Sequence, residues 1–190
     1  MNKRFSKGKL TVIAGPMFSG KTGKLVALIE VFTKMGYKVL TVKPAIDSRY
    51  GAKKEIHSHD HKKSNALVIG KESVEEILQK ILATGARKVI VDEVQFFDKD
   101  VIITVIMKLK KLGYHVIAAG LLYDYKRQPF GATPDLMGLA DEHLELFAVC
   151  QRCGSLARHT ERQRGGKSLV VVGASDSYIA ACEKCHRVLK

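Results

Sequence analysis

A chain of 190 residues is long enough for one domain with a well-filled core and a small appended module, but too short for two ordinary domains. Its 46% hydrophobic and 27% charged residues exclude wholesale disorder, and no apolar run approaches the ~20 residues of a bilayer span or forms a signal-peptide core, so we expect neither membrane insertion nor export. The 32 Lys and Arg exceed the 19 Asp and Glu, and this net charge of +13 favours phosphates, nucleic acid or other anionic partners without choosing among them.

The apolar pattern predicts strands that alternate with amphipathic helices. Residues 10–14 form an unbroken apolar run typical of a buried strand, and residues 21–35 carry apolar side chains at helical spacing before Gly36. Residues 45–65 are polar and aperiodic, so we predict little regular structure there. The other predicted strands cover 38–43, 66–69, 88–93, 115–119 and 144–149, and the other predicted helices cover 73–82, 101–112 and 133–140. Ser73 and Glu76 fit a capping box at the start of the helix over 73–82, and Thr133, before Pro134, is the expected cap of the helix that ends near residue 140.

This alternation is typical of α/β proteins, in which helices cover both faces of a mostly parallel sheet. Ligands of such sheets bind beyond the carboxyl ends of the strands. The composition changes only near residue 150, where long apolar elements give way to a tail that contains the cysteines. We therefore predict an α/β domain over residues 1–149 and a small C-terminal domain over residues 150–190.

Residues 15–22, between the first predicted strand and helix, read G-P-M-F-S-G-K-T and match the phosphate-loop pattern G-x-x-x-x-G-K-[ST]. In such a loop, main-chain amides and the helix N-terminus face phosphate oxygens, the lysine neutralises the terminal phosphates, and the Ser or Thr hydroxyl can bind Mg²⁺. The pattern and its context predict a P-loop NTPase-like fold that binds ATP. The predicted ATP contacts in this loop are Gly15, Pro16, Met17, Phe18, Ser19, Gly20, Lys21 and Thr22.

A predicted apolar strand ends in Asp92 and Glu93, the form of the strand that aims a carboxylate at the magnesium ion of an NTPase. In a hydrolytic ATPase the second acid would orient a water molecule. In a small-molecule kinase it could instead accept a proton from the hydroxyl of the substrate. The acid pair by itself leaves both reactions open.

Two C-x-x-C pairs, Cys150 with Cys153 and Cys182 with Cys185, flank residues 154–181. Two tight turns of this kind can present four thiolates to one tetrahedral zinc ion. An iron–sulfur cluster and four unrelated thiols are the alternatives. Because four sulfurs leave zinc no open position, we predict a structural site that holds both ends of the intervening loop.

Two further groups of residues have functional interpretations. His57, His59, Asp60 and His61 could bind a second metal, but they lie in a lysine-rich aperiodic stretch, so we interpret them as a solvated loop. For Phe97 we expect ordinary core packing. Aromatic side chains near the predicted strand ends or cysteine pairs could hold a nucleobase, namely Phe96, Tyr123, Tyr125, Phe130 and Tyr178.

Together these segments resemble the type II thymidine kinase family, the zinc-containing cellular and bacterial type. The resemblance rests on the phosphate loop, K-P-A-I-D-S-R-Y at 43–50, D-E-V-Q-F-F at 92–97, G-L-x-x-x-Y-x-x-x-P-F-G at 120–131 and the paired C-x-x-C. It covers nearly the whole chain. The chain departs from the usual family pattern at Leu122-Tyr123, which replaces an aspartate followed by a small residue, and at Tyr125, which replaces phenylalanine.

The resemblance implies transfer of the γ-phosphate of ATP to the 5′-hydroxyl of thymidine, with Glu93 as the general base. It implies that ATP and Mg²⁺ are held by the phosphate loop together with Asp47, Arg49, Asp92 and Gln95. The loop between the cysteine pairs would be a lasso that closes over the nucleoside, so residues 150–190 would form a zinc-binding lasso domain. The implied nucleoside pocket comprises Met17, Phe96, Leu121, Tyr125, Phe130, Thr160, Leu169, Val171 and Tyr178.

Similar enzymes are cytoplasmic homotetramers inhibited by thymidine triphosphate, and the resemblance implies the same properties here, without a membrane or stable nucleic-acid partner. The main alternative is a nucleic-acid-dependent P-loop ATPase with a zinc-ribbon module, which the net charge of +13 would allow. Such motors generally need a second domain, for which we find no room in 190 residues. A zinc-stabilised nucleotide-binding regulator without turnover is a third hypothesis.

Overall fold

The computed structural model describes residues 7–45, 55–56, 64–164 and 177–188, with the backbone alone at 55–56 and 64–65. A short 3-10 turn covers Val94–Phe96. The helices are α1 Lys21–Lys34, α2 Val74–Ala83, α3 Lys99–Lys111 and α4 Thr133–Leu139. The strands are β1 Lys9–Ala14, β2 Val39–Pro44, β3 Glu55–Ile56, β4 Ser64–Ile69, β5 Lys88–Val91, β6 His115–Gly120, β7 Glu142–Glu145, β8 Ala148–Val149, β9 Leu156–Ala157, β10 His159–Arg162 and β11 Tyr178–Ala181.

Seven strands form the main sheet in the order β3-β4-β2-β5-β6-β1-β7. The β3–β4 pair is antiparallel, and the other neighbours in this sheet are parallel. This confirms the predicted α/β fold with a mostly parallel sheet. Because parallel strands end at the same edge, the residues that follow β1, β2, β5 and β6 lie close together there.

Both faces of the sheet are buried, as expected for parallel strands linked by helices. Along β5, Val89 and Val91 join the cluster that contains α2, α3 and α4, whereas Ile90 joins the cluster that contains α1. Alternate residues of a strand point to opposite faces, so one unbroken apolar run serves both layers. The sheet is thereby a rigid support for the loops at its carboxyl edge.

The helix boundaries agree with the predictions except at two N-termini. Ser73 caps α2 through the predicted capping box with Glu76, since both reciprocal hydrogen bonds are present. Helix α3 begins at Lys99 rather than at residue 101, because the Asp98 carboxylate accepts a hydrogen bond from the main chain of the first turn. The expected cap by Thr133 is wrong, since Ala132 precedes α4 and Thr133 is its first residue.

Two strand predictions need correction. The predicted strand 88–93 ends at Val91, so both acids lie beyond it. The predicted strand 144–149 divides into β7, which pairs with β1, and β8, which pairs with β9. Residues 144–149 are mostly apolar and read as one run, but the two strands that include its ends find different partners. Within the interval 45–65, β3 and the start of β4 are regular, in contrast to the expectation for that stretch.

The C-terminal part contains the two-stranded pairs β8–β9 and β10–β11, both antiparallel. A small cluster of buried apolar residues, distinct from the two sheet clusters, lies between them, and it consists of Ala148, Cys150, Ala157, Ala180 and Cys182. None of the helices in the described part of the chain combines the length and apolar character that crossing a bilayer requires.

Candidate active site and metal centre

The phosphate loop is bent by two residues in the left-handed region, Phe18 with φ 66° and Gly20 with φ 82°. Gly15 is confined, because a Cβ atom there would lie 2.6 Å from the Leu146 carbonyl oxygen and 2.7 Å from Ser19 Oγ. Helix α1 starts directly after Gly20 and has no acidic residue in its first turn. Its positive N-terminal field is therefore available to an anion such as a phosphate.

The Lys21 ammonium lies within the phosphate loop, where Nζ donates to Gly15 O at 2.9 Å and to Pro16 O at 2.8 Å. Burial lowers the pKa of Lys21, while the charges of Glu93 and Asp92 act in the opposite direction. These two carboxylates are therefore within electrostatic reach of the lysine. The structure brings the phosphate loop and the acid pair together at the carboxyl edge of the sheet.

Asp92 directly follows β5 and is 4% exposed. Burial, and then the neighbouring charge of Glu93, raise the pKa of Asp92 to about 6 against the opposing effect of Lys43, whose Nζ lies 3.9 Å from Asp92 Oδ2. The nearby positive charge therefore does not fully offset the desolvation of this carboxylate. A buried carboxylate oxygen in this situation fits the preference of Mg²⁺ for hard oxygen ligands, and Thr22 offers a hydroxyl from the loop.

Glu93 has φ 53°, a left-handed conformation that is uncommon for a residue with a side chain. Its main-chain N–H donates to Asp92 Oδ1 at 3.0 Å, and its carboxylate accepts a hydrogen bond from Gln95 Nε2. Gln95 is 3% exposed, and its Oε1 accepts from the main-chain N–H of Leu121 at 3.0 Å. Both ends of the Gln95 amide are thus engaged within the protein, and its contact with ATP stays a prediction.

The four cysteines converge, with their Sγ atoms within 4.8 Å of one another. Cys153 Sγ and Cys182 Sγ are 3.6 Å apart. A disulfide would require about 2.05 Å, whereas four sulfurs at about 2.3 Å from one tetrahedral zinc ion lie about 3.8 Å apart. The soft donor set and its spacing fit zinc.

Each C-x-x-C pair forms the tight turn that the sequence predicts. Gly154 N–H donates to Cys150 O at 2.9 Å, and Cys185 N–H donates to Cys182 O at 3.1 Å. Arg152 links the two turns, because it forms an ion pair with the buried carboxylate of Glu161 and donates to Cys185 O at 2.9 Å. The cysteine turns are therefore attached to β10, the strand that carries Glu161.

The hairpin of β10 and β11 contacts the phosphate loop directly, since Thr160 Oγ1 accepts from Met17 N–H at 2.9 Å. Arg162, on the same strand, is 2% exposed and lies with its guanidinium 3.8 Å from the centroid of the Tyr125 ring. Its Nη2 donates to the Tyr178 hydroxyl at 3.0 Å. Two predicted pocket residues, Tyr125 and Tyr178, thus meet at one buried cation.

The remaining described pocket residues, Phe96, Phe130 and Leu121, are partly buried. The rings of Phe96 and Phe130 meet edge to face with centroids 5.5 Å apart. Phe97 packs against the main core, as expected. Aromatic side chains therefore lie at the 3-10 turn after β5, with Phe96, and in the loop after β6, with Phe130.

Tyr123, one of the departures from the family pattern, packs against the C-terminal part, where its ring centroid is 5.7 Å from that of His159. Burial, and then the charge of Arg127, lower the pKa of His159 to about 4, so the ring is neutral at pH 7. Its Nε2 hydrogen-bonds Glu183 Oε2 at 2.7 Å, and Arg127 forms an ion pair with Glu183. Tyr123 and Arg127 thus join the loop after β6 to the cysteine turns.

Several predicted site residues lie outside the described residues, so their roles stay predictions. They are Asp47 and Arg49 of the ATP site, Leu169 and Val171 of the nucleoside pocket, and His57, His59, Asp60 and His61 of the lysine-rich stretch.

Sequence reasoning missed two residues, Lys43 and Arg162. In the sequence, Lys43 stands out only as the first residue of the motif at 43–50, although its position near the carboxyl end of β2, next to β5, could have indicated a partner for Asp92. Arg162 is one of many basic residues spread along the chain. Its spacing of two from Thr160 on a short strand could have indicated the same face of that strand.

The curled loop before α1, its internal lysine and the nearby acid pair define a P-loop nucleotide-binding protein, to which a module with four convergent cysteines is attached. Its fold resembles the crystal structure of flagellar accessory protein FlaH from Methanocaldococcus jannaschii, with a TM-score of 0.52 over 82% of this chain and 79% of that chain. The sequence identity is 15%, so this likeness concerns the fold alone.

Residues 8–186 match the model of the thymidine kinase family, and the chain belongs to that family. It is 40% identical over 186 residues to a thymidine kinase from Mycoplasma mobile, covering 98% of this chain and 90% of the relative. It is 35% identical to a thymidine kinase from Mesomycoplasma hyopneumoniae strain 7448, covering 98% of this chain and 99% of the relative. The predicted family is confirmed, and the nucleic-acid-dependent ATPase is not favoured.

Proposed function

We propose that this protein is an ATP-dependent thymidine kinase that transfers the γ-phosphate of ATP to the 5′-hydroxyl of thymidine and so yields thymidine monophosphate for DNA synthesis. Membership of the family supports this proposal. The observation that carries it is the contact between Thr160 Oγ1 and the Met17 amide at 2.9 Å. That contact joins the hairpin proposed for the nucleoside to the loop proposed for the phosphates, as transfer between two bound substrates requires.

The reaction assigns distinct tasks to residues of the chain. The loop amides would bind the triphosphate, and Lys21 would neutralise its terminal phosphates. Mg²⁺ held by Asp92 and Thr22 would supply positive charge to the phosphate oxygens. Glu93 would accept the proton of the 5′-hydroxyl while that oxygen bonds to the γ-phosphorus and the bond to the bridging oxygen of ADP breaks.

We assign a structural Zn²⁺ to the four cysteines and treat residues 150–190 as the domain that closes over the nucleoside, beside an ATP-binding domain of residues 1–149. Convergence of the four Sγ atoms within 4.8 Å supports the metal assignment. The ion would hold the hairpin in place against Met17. A closed site of this kind favours transfer to the nucleoside over transfer to water.

The direct test combines the wild-type protein and the Glu93→Gln variant in a coupled assay for ADP. We expect ADP production that requires thymidine and does not respond to DNA. Loss of proton acceptance should lower kcat by about 10²- to 10⁴-fold in Glu93→Gln, while ATP affinity changes little. Near-normal turnover in the variant would remove the general-base assignment.

The same assay separates the alternatives. DNA-stimulated hydrolysis without thymidine would instead favour the nucleic-acid-dependent ATPase. ATP binding without formation of thymidine monophosphate would favour a regulator.

The finer expectations of the family are part of this proposal: a cytoplasmic homotetramer that thymidine triphosphate inhibits. Large exposed apolar side chains on and after α1, such as Val31 at 51% and Met35 at 64% exposure, support self-association. Light scattering after size exclusion gives the oligomeric state directly. Kinetics with added thymidine triphosphate test the inhibition.

A further inference from the structure

The side chain of Gln95 is buried and has a defined orientation. A main-chain N–H can only donate, so the atom that faces Leu121 N–H at 3.0 Å must be the amide oxygen. The amide NH₂ group consequently faces Glu93 and donates to its Oε2. The hydrogen-bond network thus fixes which end of the amide meets the carboxylate, without a choice between two flipped arrangements.

Two glycines, Gly120 and Gly131, pack closely against Gln95. A Cβ atom on Gly131 would lie 2.3 Å from the Gln95 carbonyl oxygen, and a Cβ atom on Gly120 would lie 2.6 Å from Gln95 Oε1. Real Cβ contacts are essentially never this short, so the approach is possible only without a side chain. The main chain and the side chain of Gln95 are therefore both confined.

Glu93, in contrast, is half-buried, and its backbone is in the left-handed region with φ 53°. Its main-chain N–H is fixed by Asp92, but this bond does not hold the far end of a three-torsion side chain. Among the hydrogen bonds described for the Glu93 carboxylate, the one from Gln95 Nε2 supplies that restraint.

We propose that Gln95 is the positioning residue for Glu93: its NH₂ group binds Oε2 and leaves Oε1 of the carboxylate to accept the proton of the acceptor hydroxyl. This inference rests on the proposed function. In the transfer step the proton moves from the 5′-hydroxyl to Oε1, the hydroxyl oxygen bonds to the γ-phosphorus, and ADP leaves.

The test compares kcat and the KM values for thymidine and ATP in the wild type and in two variants of similar shape, Gln95→Met and Gln95→Glu. Gln95→Met removes the donor to Glu93 Oε2. Gln95→Glu also removes this donor but keeps an acceptor for Leu121 N–H. Because the Glu93 carboxylate then loses its restraint, we expect kcat to fall about tenfold or more in both variants while the KM for ATP changes less than about twofold.

The Gln79→Glu variant on the exposed face of α2 is the charge-matched control and should retain the wild-type kcat and KM values. Circular dichroism and zinc content verify folding. If Gln95→Met does not fold, Gln95→Glu provides the measurement, since it retains the contact to Leu121.

The two proposals fail in different ways. A wild type without thymidine-dependent ADP production contradicts the proposed function. An active wild type whose Gln95 variants keep a near-normal kcat contradicts the positioning role. Weakened binding of a fluorescent ATP analogue with kcat unchanged would also overturn it, because Gln95 would then contact ATP rather than orient Glu93.

Discussion

Replacing Asp92 by Asn should stabilise the ligand-free protein at neutral pH, although it removes a proposed magnesium ligand. Burial and the neighbouring Glu93 raise the pKa of Asp92 from the ordinary value of 3.8 to about 6. The folded state therefore binds this proton more tightly than the unfolded state does. Each pKa unit corresponds to about 1.4 kcal/mol, so the buried anion costs up to about 3 kcal/mol once both states are ionised.

The pH dependence follows from the sign of this shift. Well below the ordinary pKa of 3.8 the Asp92 carboxyl is protonated in both states and the cost vanishes. As the pH rises towards 6 the unfolded state ionises first, so wild-type stability from this group falls and then levels off. The advantage of Asp92→Asn should thus be about half of its full value at pH 5 and complete above pH 7.

Urea unfolding followed by far-UV circular dichroism suits this protein, which contains no tryptophan. The measurements need zinc-containing buffer without chelator, Mg²⁺ or nucleotide, at several pH values from 5 to 8. Asp100→Asn in the exposed first turn of α3 is the matched control and should show no such trend. Equal stability of wild type and Asp92→Asn at pH 7.5, or a difference independent of pH, would refute the reasoning.

Two further substitutions test the metal centre and the backbone around the candidate active site. Cys153→Ser should lower zinc affinity at least about tenfold and raise the KM for thymidine more than the KM for ATP, as measured by zinc release and steady-state kinetics; equal losses for both substrates would indicate global unfolding instead. Gly131→Ala should destabilise the fold by about 2 kcal/mol or more in urea unfolding, because Gly131 has φ 56° and a Cβ there would meet Gln95 O at 2.3 Å. The control Gly138→Ala lies in α4, where the added Cβ would have no described atom within 4 Å apart from its chain neighbours and the adjoining backbone of its own helix, and should stabilise the protein by up to about 1 kcal/mol; an equal effect at both positions would contradict the steric explanation.

Most strands and helices could be predicted because their signals are local. The apolar run of β1 and the helical spacing of α1 are periodicities within a few residues, and the capping box at Ser73 spans one turn. The β7–β8 region was predicted less well. Its residues have strand character, but pairing with either β1 or β9 decides where each strand ends, and local pattern does not encode that choice.

The candidate site divides in the same way. Spacing within the chain identified the phosphate loop, the acid pair and the two cysteine turns, because each of these functions needs residues at short, fixed intervals. The orientation of the Gln95 amide towards Glu93 and the burial of Arg162 against Tyr125 could not be predicted from the sequence. Each depends on contacts with segments that are distant in the chain.

By itself, the sequence of this protein determined its chemistry-bearing groups and its alternation of strands and helices. The tertiary structure alone decided which groups meet, as in the hydrogen bond between Thr160 and Met17, which joins residues 143 positions apart. It also decided how charged groups behave, since the raised pKa of Asp92 reflects desolvation by packing around it. The reason is that contact and burial depend on the folded arrangement of the whole chain, whereas periodicity and spacing are properties of neighbouring residues.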